Sequence, residues 1–120
     1  SITVKWVLQI YETKLRRKIN KVHLVGGGAL WETAAQICAD ALQIPVYIPE
    51  HQRQTNTRGV AFMCFNNLSI LNYADIKSRL KVKKVFTPQT QNFGFYNNRL
   101  LFYKRLYKTM RPLYAALNKT

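Results

Sequence analysis

Val22-His23-Leu24-Val25-Gly26-Gly27-Gly28-Ala29-Leu30-Trp31-Glu32 is the stretch on which the reading of this chain turns. Lys21 to Val25 is a short, mostly apolar run suited to a strand, and three consecutive glycines end it abruptly. From Trp31 to Leu42 the apolar residues Ala34, Ala35, Cys38, Ala41 and Leu42 gather on one side of a helix. A strand that opens through glycines into a helix offers a ligand two things. Glycine has no Cβ, so its backbone admits close approach and positive φ. The helix start carries unpaired N–H groups and the positive end of a dipole. Both suit a nucleotide. Gly26, Gly27, Gly28 and Ala29, with Leu30, Trp31 and Glu32 beside them, are therefore the candidate binding residues. A tight turn with close strand–helix packing explains the same glycines as well. The loop is not of the Walker type, since no Gly-Lys-Ser/Thr follows. It is not the dinucleotide fingerprint either, since Trp31 stands where the third glycine falls.

Outward from this stretch, short strands alternate with helices, the pattern of an α/β fold. Ile44 to Ile48 reads as a second strand, with Pro45 near its start marking an edge or first position. Residues 50–58 are polar and loop-like. Gly59 to Asn67 is apolar on nearly all sides and reads as a buried helix. A short helix over Asp75–Leu80, a short strand or extended arm over Val82–Phe86 and a polar connector over residues 87–92 follow. Upstream, Val4, Val7, Leu8, Tyr11 and Leu15 form the stripe of an amphipathic helix from Ile2 to Arg17, with cations toward its end and Asn20 as its stop. At the other end Tyr96, Leu100, Tyr103, Tyr107, Met110, Tyr114 and Leu117 alternate spacings of four and three. That is one stripe on a long helix, expected to kink or restart near Pro112 and to be buried against Gly59–Asn67 and Ile70–Leu80. Arg99, Lys104, Arg105, Lys108 and Arg111 are expected on its wet side.

The chain has 120 residues, 48% of them apolar, enough for a core and against wholesale disorder. A compact monomer of this size buries roughly two-thirds of its unfolded surface. No apolar run reaches the length of a membrane span, and the first twenty residues lack the segments of a signal peptide. No initiating Met is present, so the sequence reads as the inside of a longer chain. Cys38 and Cys64 sit among apolar helix residues and read as two buried free thiols of a reduced compartment. His23 and His51 have no partner at metal-ligand spacing, so no metal site is expected. The formal charge is +14, and it is uneven. Residues 1–21 hold six basic side chains and one acid, and residues 77–120 hold eleven basic side chains and no acid. A nucleic-acid footprint accounts for such flanks, and so does a solvated basic face. The basic residues of the last segment interleave with an apolar stripe, and no RNP-like, zinc-finger or basic-zipper pattern occurs. Both points favour the solvated face.

Three pieces in register carry a family resemblance: Val25-Gly26-Gly27-Gly28-Ala29, Gln36-Ile37-Cys38-Ala39-Asp40 and Ile44-Pro45-Val46. The chain resembles the C-terminal domain of FGGY-type carbohydrate kinases, the group of xylulokinases, ribulokinases and glycerol kinases. Arg58-Gly59-Val60-Ala61 is similar to the family's Gly-Ala-Ala helix, and the Tyr-rich end to the last helix of the xylulokinase branch. The resemblance runs from about residue 2 to residue 118. Three positions depart from it. Many relatives have a Trp at the place of Ala34, glycerol kinases have an Asn at the place of Glu32, and relatives often have a small residue at the place of Val60.

The resemblance implies the C-terminal part of an actin-like, ribonuclease-H-like ATPase domain. It implies that residues 1–120 are a partial nucleotide-binding domain. In the whole enzyme a separate N-terminal domain would hold the sugar and supply the catalytic base. It further implies ATP and Mg²⁺ as cofactors, phosphoryl transfer to a pentulose-like sugar, and a cytoplasmic enzyme. No nucleic acid or membrane partner is implied, and self-association stays open. None of the five acidic residues is assigned as the base, so no catalytic residue is expected in this chain, which alone should be inactive. Two rival classes are a basic nucleic-acid-binding module and an interaction piece that uses its Tyr stripe as a partner surface.

Overall fold

Val22–His23 (β1) runs parallel to Val46–Pro49 (β2), and Val82–Phe86 (β3) pairs antiparallel on the other side of β2. The computed structural model describes residues 1–118. Pairing extends past β1, since Val22 N–H donates to the Pro45 carbonyl at 3.1 Å and Leu24 N–H to that of Tyr47 at 2.9 Å. Successive strand residues face opposite sides. Val46 and Ile48 thus point to one face, and Glu32–Leu42 (α2) lies over it. Ala35 and Ala39 of α2 pack with Val46, Ile48, Phe86 and Ala29, joined at the edge by Val22, Leu24 and Cys38. Alanine suits this place twice: it is the best helix former and lets helix and sheet approach closely.

α2 also holds the chain that follows β3. Asp40, 3% exposed, accepts three hydrogen bonds: from the Gln89 N–H (2.8 Å), Asn92 Nδ2 (2.6 Å) and Gln36 Nε2 (2.8 Å). The Gln36 amide also donates to the Thr87 carbonyl at 2.9 Å. Burial pushes the Asp40 carboxyl up. The three donors outweigh it and hold the carboxyl below its ordinary value. Residues 87–92, which include a 3₁₀ turn at Thr90–Asn92, are thereby fixed on α2 and aim the long helix Phe93–Leu117 (α5).

α5 runs through Pro112 without ending there, so the expected restart does not occur. A proline costs most where a carbonyl four residues back must be paired. Here that carbonyl belongs to Lys108, which is exposed, so water can serve it. Half of the expected stripe is covered: Leu100 is buried and Tyr96, Tyr103 and Met110 are half-buried, while Tyr107, Tyr114 and Leu117 are exposed. The cover also differs. It is Ile2–Leu15 (α1) and α2, not the segments from 59 to 80. Trp6 of α1 meets the ring edges of Tyr103 and Tyr107 at 6.0 and 5.0 Å. Lys5 Nζ donates to Asn97 Oδ1 at 2.7 Å, and Lys104 Nζ donates to Gln9 Oε1 at 2.9 Å and sits over the Trp6 ring. Lys104 is therefore a packed residue and not one of the wet side. These polar ties rotate α1 so that Lys5, Leu8 and Glu12 turn inward while Val4, Val7, Tyr11 and Leu15 face outward. α1 also stops before Asn20, at Arg16 in the left-handed region (φ 49°), with Arg17 N–H on the Glu12 carbonyl.

The helix expected to be buried, Thr55–Asn67 (α3), starts four residues earlier and has no buried residue. Val60 and Met63 are more than half exposed and Cys64 is exposed, so only Cys38 of the two free thiols is partly enclosed. The reason is lack of cover. α3 meets the 3₁₀ turn Gln52–Gln54 and the short helix Tyr73–Arg79 (α4), and among the described residues no second layer lies over its outer side. The described surface is 9399 Å². A compact 14.0 kDa monomer would show about 6,700 Å². The radius of gyration is 18.1 Å, against about 14 Å for a compact chain of 120 residues. The chain thus buries roughly half of its unfolded surface rather than two-thirds.

Two expectations follow from this packing. Leu100→Ala is expected to cost about 2–5 kcal/mol in chemical denaturation and Leu113→Ala under about 0.5, since one is buried and the other exposed. Equal losses would put the buried face of α5 elsewhere. The Asp40 network sets the second. In the unfolded chain an Asp titrates near pH 3.9. The folded carboxyl releases its proton at lower pH, so its contribution is complete above about pH 4 and is lost as the pH falls through the folded value. Asp40→Asn is expected to flatten that acid limb in melts from pH 2 to 6, and Asp40→Ala to cost about 2–3 kcal/mol at neutral pH.

Candidate functional site

After Leu24 the backbone leaves the sheet through Gly26, which adopts φ 81° and ψ −165°. Side chains rarely tolerate such a φ, so this position calls for glycine. The Gly26 N–H donates to the Gln52 carbonyl at 3.0 Å, which ties the turn to the loop after β2. Gly27–Leu30 forms a 3₁₀ turn, with the Ala29 N–H on the Gly26 carbonyl (3.1 Å) and the Trp31 N–H on that of Gly28 (3.4 Å). As the first residues of this turn, Gly27 and Gly28 have no intrahelical acceptor for their N–H groups. Neither donates to another described backbone group.

A Cβ built at Gly26, Gly27 or Gly28 meets no heavy atom within 4 Å. Close strand–helix packing therefore does not account for Gly27 and Gly28 among the described residues. What remains is an open backbone surface with two free donors at its start.

The other candidate residues diverge. Ala29 is buried in the core beneath α2. Leu30 lies on the rim at 38% exposure. Trp31 caps α2 through its backbone and projects its ring into solvent at 74% exposure. Glu32, in the first turn of α2, forms an ion pair with Lys84 of β3 at 2.8 Å, and Lys84 also lies over the Phe86 ring. The structure thus brings the backbone of Gly26–Gly28 together with Leu30 and directs the Glu32 carboxylate toward β3.

Sequence reasoning passed over three residues here. Gln52, Arg53 and Lys83 join Leu30 along a shallow groove of ≈ 540 Å³ beside the glycine turn. Residues 50–58 had only the polarity of a loop. Gln52 is 8% exposed, and its carbonyl receives the Gly26 N–H, a contact across 26 positions that composition does not encode. Among the described residues no cluster of three His, Cys, Asp or Glu side chains is set to hold a metal. No helix of the described residues is long and apolar enough to cross a membrane.

The profile of the C-terminal domain of the FGGY family of carbohydrate kinases matches residues 3–67, more than half of the chain and the whole glycine turn. The chain belongs to that family. Its fold is similar to xylulose kinase from Lactobacillus acidophilus, with a TM-score of 0.72 and 19% identity over 84% of this chain. It is similar also to gluconate kinase from Lactobacillus acidophilus (0.69, 18% identity, 80% of this chain). Xylulose kinase from Rhodospirillum rubrum matches over 95% of this chain (0.66, 17% identity), including most of the region after residue 67. These likenesses give the architecture as the actin-like, ribonuclease-H-like fold. The chain spans 21%, 20% and 23% of those three kinases, about a fifth of their length. A search of curated protein sequences finds no significant match.

The glycine geometry separates two neighbouring substitutions. Gly26→Ala is expected to destabilise this chain by about 1–2 kcal/mol, because its φ lies where a Cβ is strained. Gly27→Ala is expected to be neutral or to stabilise by up to about 1 kcal/mol, since the new methyl meets nothing and the unfolded chain loses freedom. Urea titrations of both variants check this; equal losses would mean that Gly27 is also packed.

Proposed function

We propose that this chain is part of the nucleotide-binding domain of a sugar kinase that transfers a phosphoryl group from ATP to a sugar hydroxyl, with a pentulose such as xylulose as acceptor. One observation carries the reading: the family match runs through a glycine turn whose faces are open. The residues fit a nucleotide. The backbone of Gly26, Gly27 and Gly28 admits the adenosine end of ATP at contact distance, with Leu30 and Trp31 as apolar neighbours at the rim. The N–H groups of Gly27 and Gly28 donate toward it, and Arg53 and Lys83 in the adjoining groove offset phosphate charge. Phosphoryl transfer needs positioning and charge neutralisation more than covalent help from the protein, and Mg²⁺ carried on the phosphates supplies neutralisation when bound. No residue of this chain is assigned to that ion.

The sugar site and the base that takes the hydroxyl proton are assigned to the rest of the enzyme, in a separate N-terminal domain. The xylulose kinases among the similar structures support a pentulose, and the free thiols support work in the reduced cytoplasm. The exposed Arg99, Arg105, Lys108 and Arg111 are read as solvated surface of α5, with no nucleic-acid partner.

The test is Gly27→Val in the full-length kinase. The bulk fits the fold but blocks the face assigned to ATP, so normal melting with ATP affinity lost is expected. Normal melting with ATP affinity kept would refute the assignment. Sugar-dependent ADP release, measured with D-xylulose and with gluconate, identifies the acceptor. The 120-residue chain alone is expected to release no ADP with either sugar.

A further inference from the structure

Lys5 is a charged residue at 5% exposure, and nothing in the kinase reading uses it. Its Nζ donates to the neutral Asn97 Oδ1 at 2.7 Å. Among the described residues Lys5 has no carboxylate within ion-pair distance; the ion pair found there is Lys84–Glu32. A buried ammonium without an anion is costly and tends either to lose its proton or to gain a counter-ion. Burial alone already pushes Lys5 below its ordinary value.

Lys5 also lines a recess of ≈ 280 Å³ between α1, the segment before β1 and the C-terminal end of α2. That is several times the ≈ 30 Å³ share of one water. Gln9, Glu12, Lys18 and Gln43 line it as well. Existing bonds fix what each can offer. Asn97 Oδ1 is taken twice, by Lys5 and by Gln43 Nε2 at 3.0 Å. Gln9 Oε1 is taken by Lys104, which leaves its amide as a donor. Glu12 Oε1 receives the Ile19 N–H at 2.9 Å, which leaves Oε2 as an acceptor. The residues that line the recess thus carry two ammonium groups and an amide as donors, with Glu12 Oε2 and Gln43 Oε1 as acceptors outside the bonds just named. The carboxylate and the α2 carbonyl end oppose a bare anion. An oxyanion that also carries an O–H satisfies both sets.

We infer that the recess at the C-terminal end of α2 is a binding site for hydrogen phosphate, held by Lys5 and Lys18 and by donation of its P–O–H to Glu12. It lies across α2 from the glycine turn, an 11-residue helix or about 16 Å away, and is a site separate from the nucleotide face. Sulfate has the same shape and no O–H at neutral pH, so Glu12 selects against it.

The experiment is a thermal-shift titration of the 120-residue chain with inorganic phosphate at pH 7, with sulfate and chloride at matched ionic strength. Phosphate is expected to raise the melting temperature saturably and beyond sulfate. Lys5→Met keeps the stem and removes the charge together with the Asn97 bond; its melt without phosphate reads any change of fold, and it is expected to weaken the apparent phosphate affinity at least about tenfold. Lys108→Met removes an exposed charge and is expected to change nothing. An unchanged phosphate response in Lys5→Met, or equal responses to phosphate and sulfate, would overturn the site. So would the absence of a phosphate-specific shift in the wild type. ³¹P line broadening on the wild-type chain reads the same binding without a variant. Ribose 5-phosphate, titrated alongside, separates free phosphate from a phosphate ester as the source of the group.

Discussion

Everything beyond residue 86 depends on one buried carboxylate. Asp40 takes the Gln89 N–H and the Asn92 amide on one side and the Gln36 amide on its own helix. These bonds turn a polar connector into a fixed bracket. The bracket sets where α5 begins, and α5 in turn positions α1 through Asn97, Tyr103 and Lys104. The charge is tolerated inside because each bond donates to it; a buried carboxylate without donors would be neutral or absent. The same helix carries the alanines that seat it on the sheet. α2 is thus packed by its small residues and directs the chain by its polar ones.

The glycine turn is held from outside rather than by its own packing. Gly26 is anchored by the Gln52 carbonyl, and its positive φ swings the following residues away from the sheet. Gly27 and Gly28 then face open space with free N–H groups. An open glycine face makes physical sense where something approaches the backbone closely. The side chains next to it have other contacts, Ala29 in the core and Glu32 on Lys84, so backbone and rim form its open side.

Large apolar side chains on α1, α3 and α5 remain in solvent, and the surface exceeds that of a compact chain of this mass by about 2,700 Å². α5 shows why. Its tyrosine stripe meets α1 over the first half of the helix, while Phe95, Phe102, Leu106 and Leu113 form a second stripe on another side, each about half exposed or more. A helix apolar on two sides belongs between two layers.

Local patterns in the sequence determined the elements. Alternating apolar strands, alanine-rich helical spacing, the glycine stop and the long four–three stripe each depend on neighbours within a few turns. The elements they name are all present, with β3 placed at Val82–Phe86. The candidate turn was legible for the same reason: three glycines after a strand constrain the backbone wherever the chain packs. Which faces are buried was not legible. On α1 the apolar stripe Val4, Val7, Tyr11 and Leu15 faces outward and Lys5 inward, because Asn97 lies 92 residues away on a helix whose direction Asp40 sets. α3 looked buried by composition and is not, since burial requires a second layer and composition cannot say whether one is there. Tertiary structure alone decided that Gln52 holds the glycine turn, that Glu32 pairs with Lys84, and that buried Lys5 donates to the neutral Asn97 amide oxygen. Each is a contact between residues far apart in sequence, whose partners are chosen by how the layers stack rather than by the residues beside them.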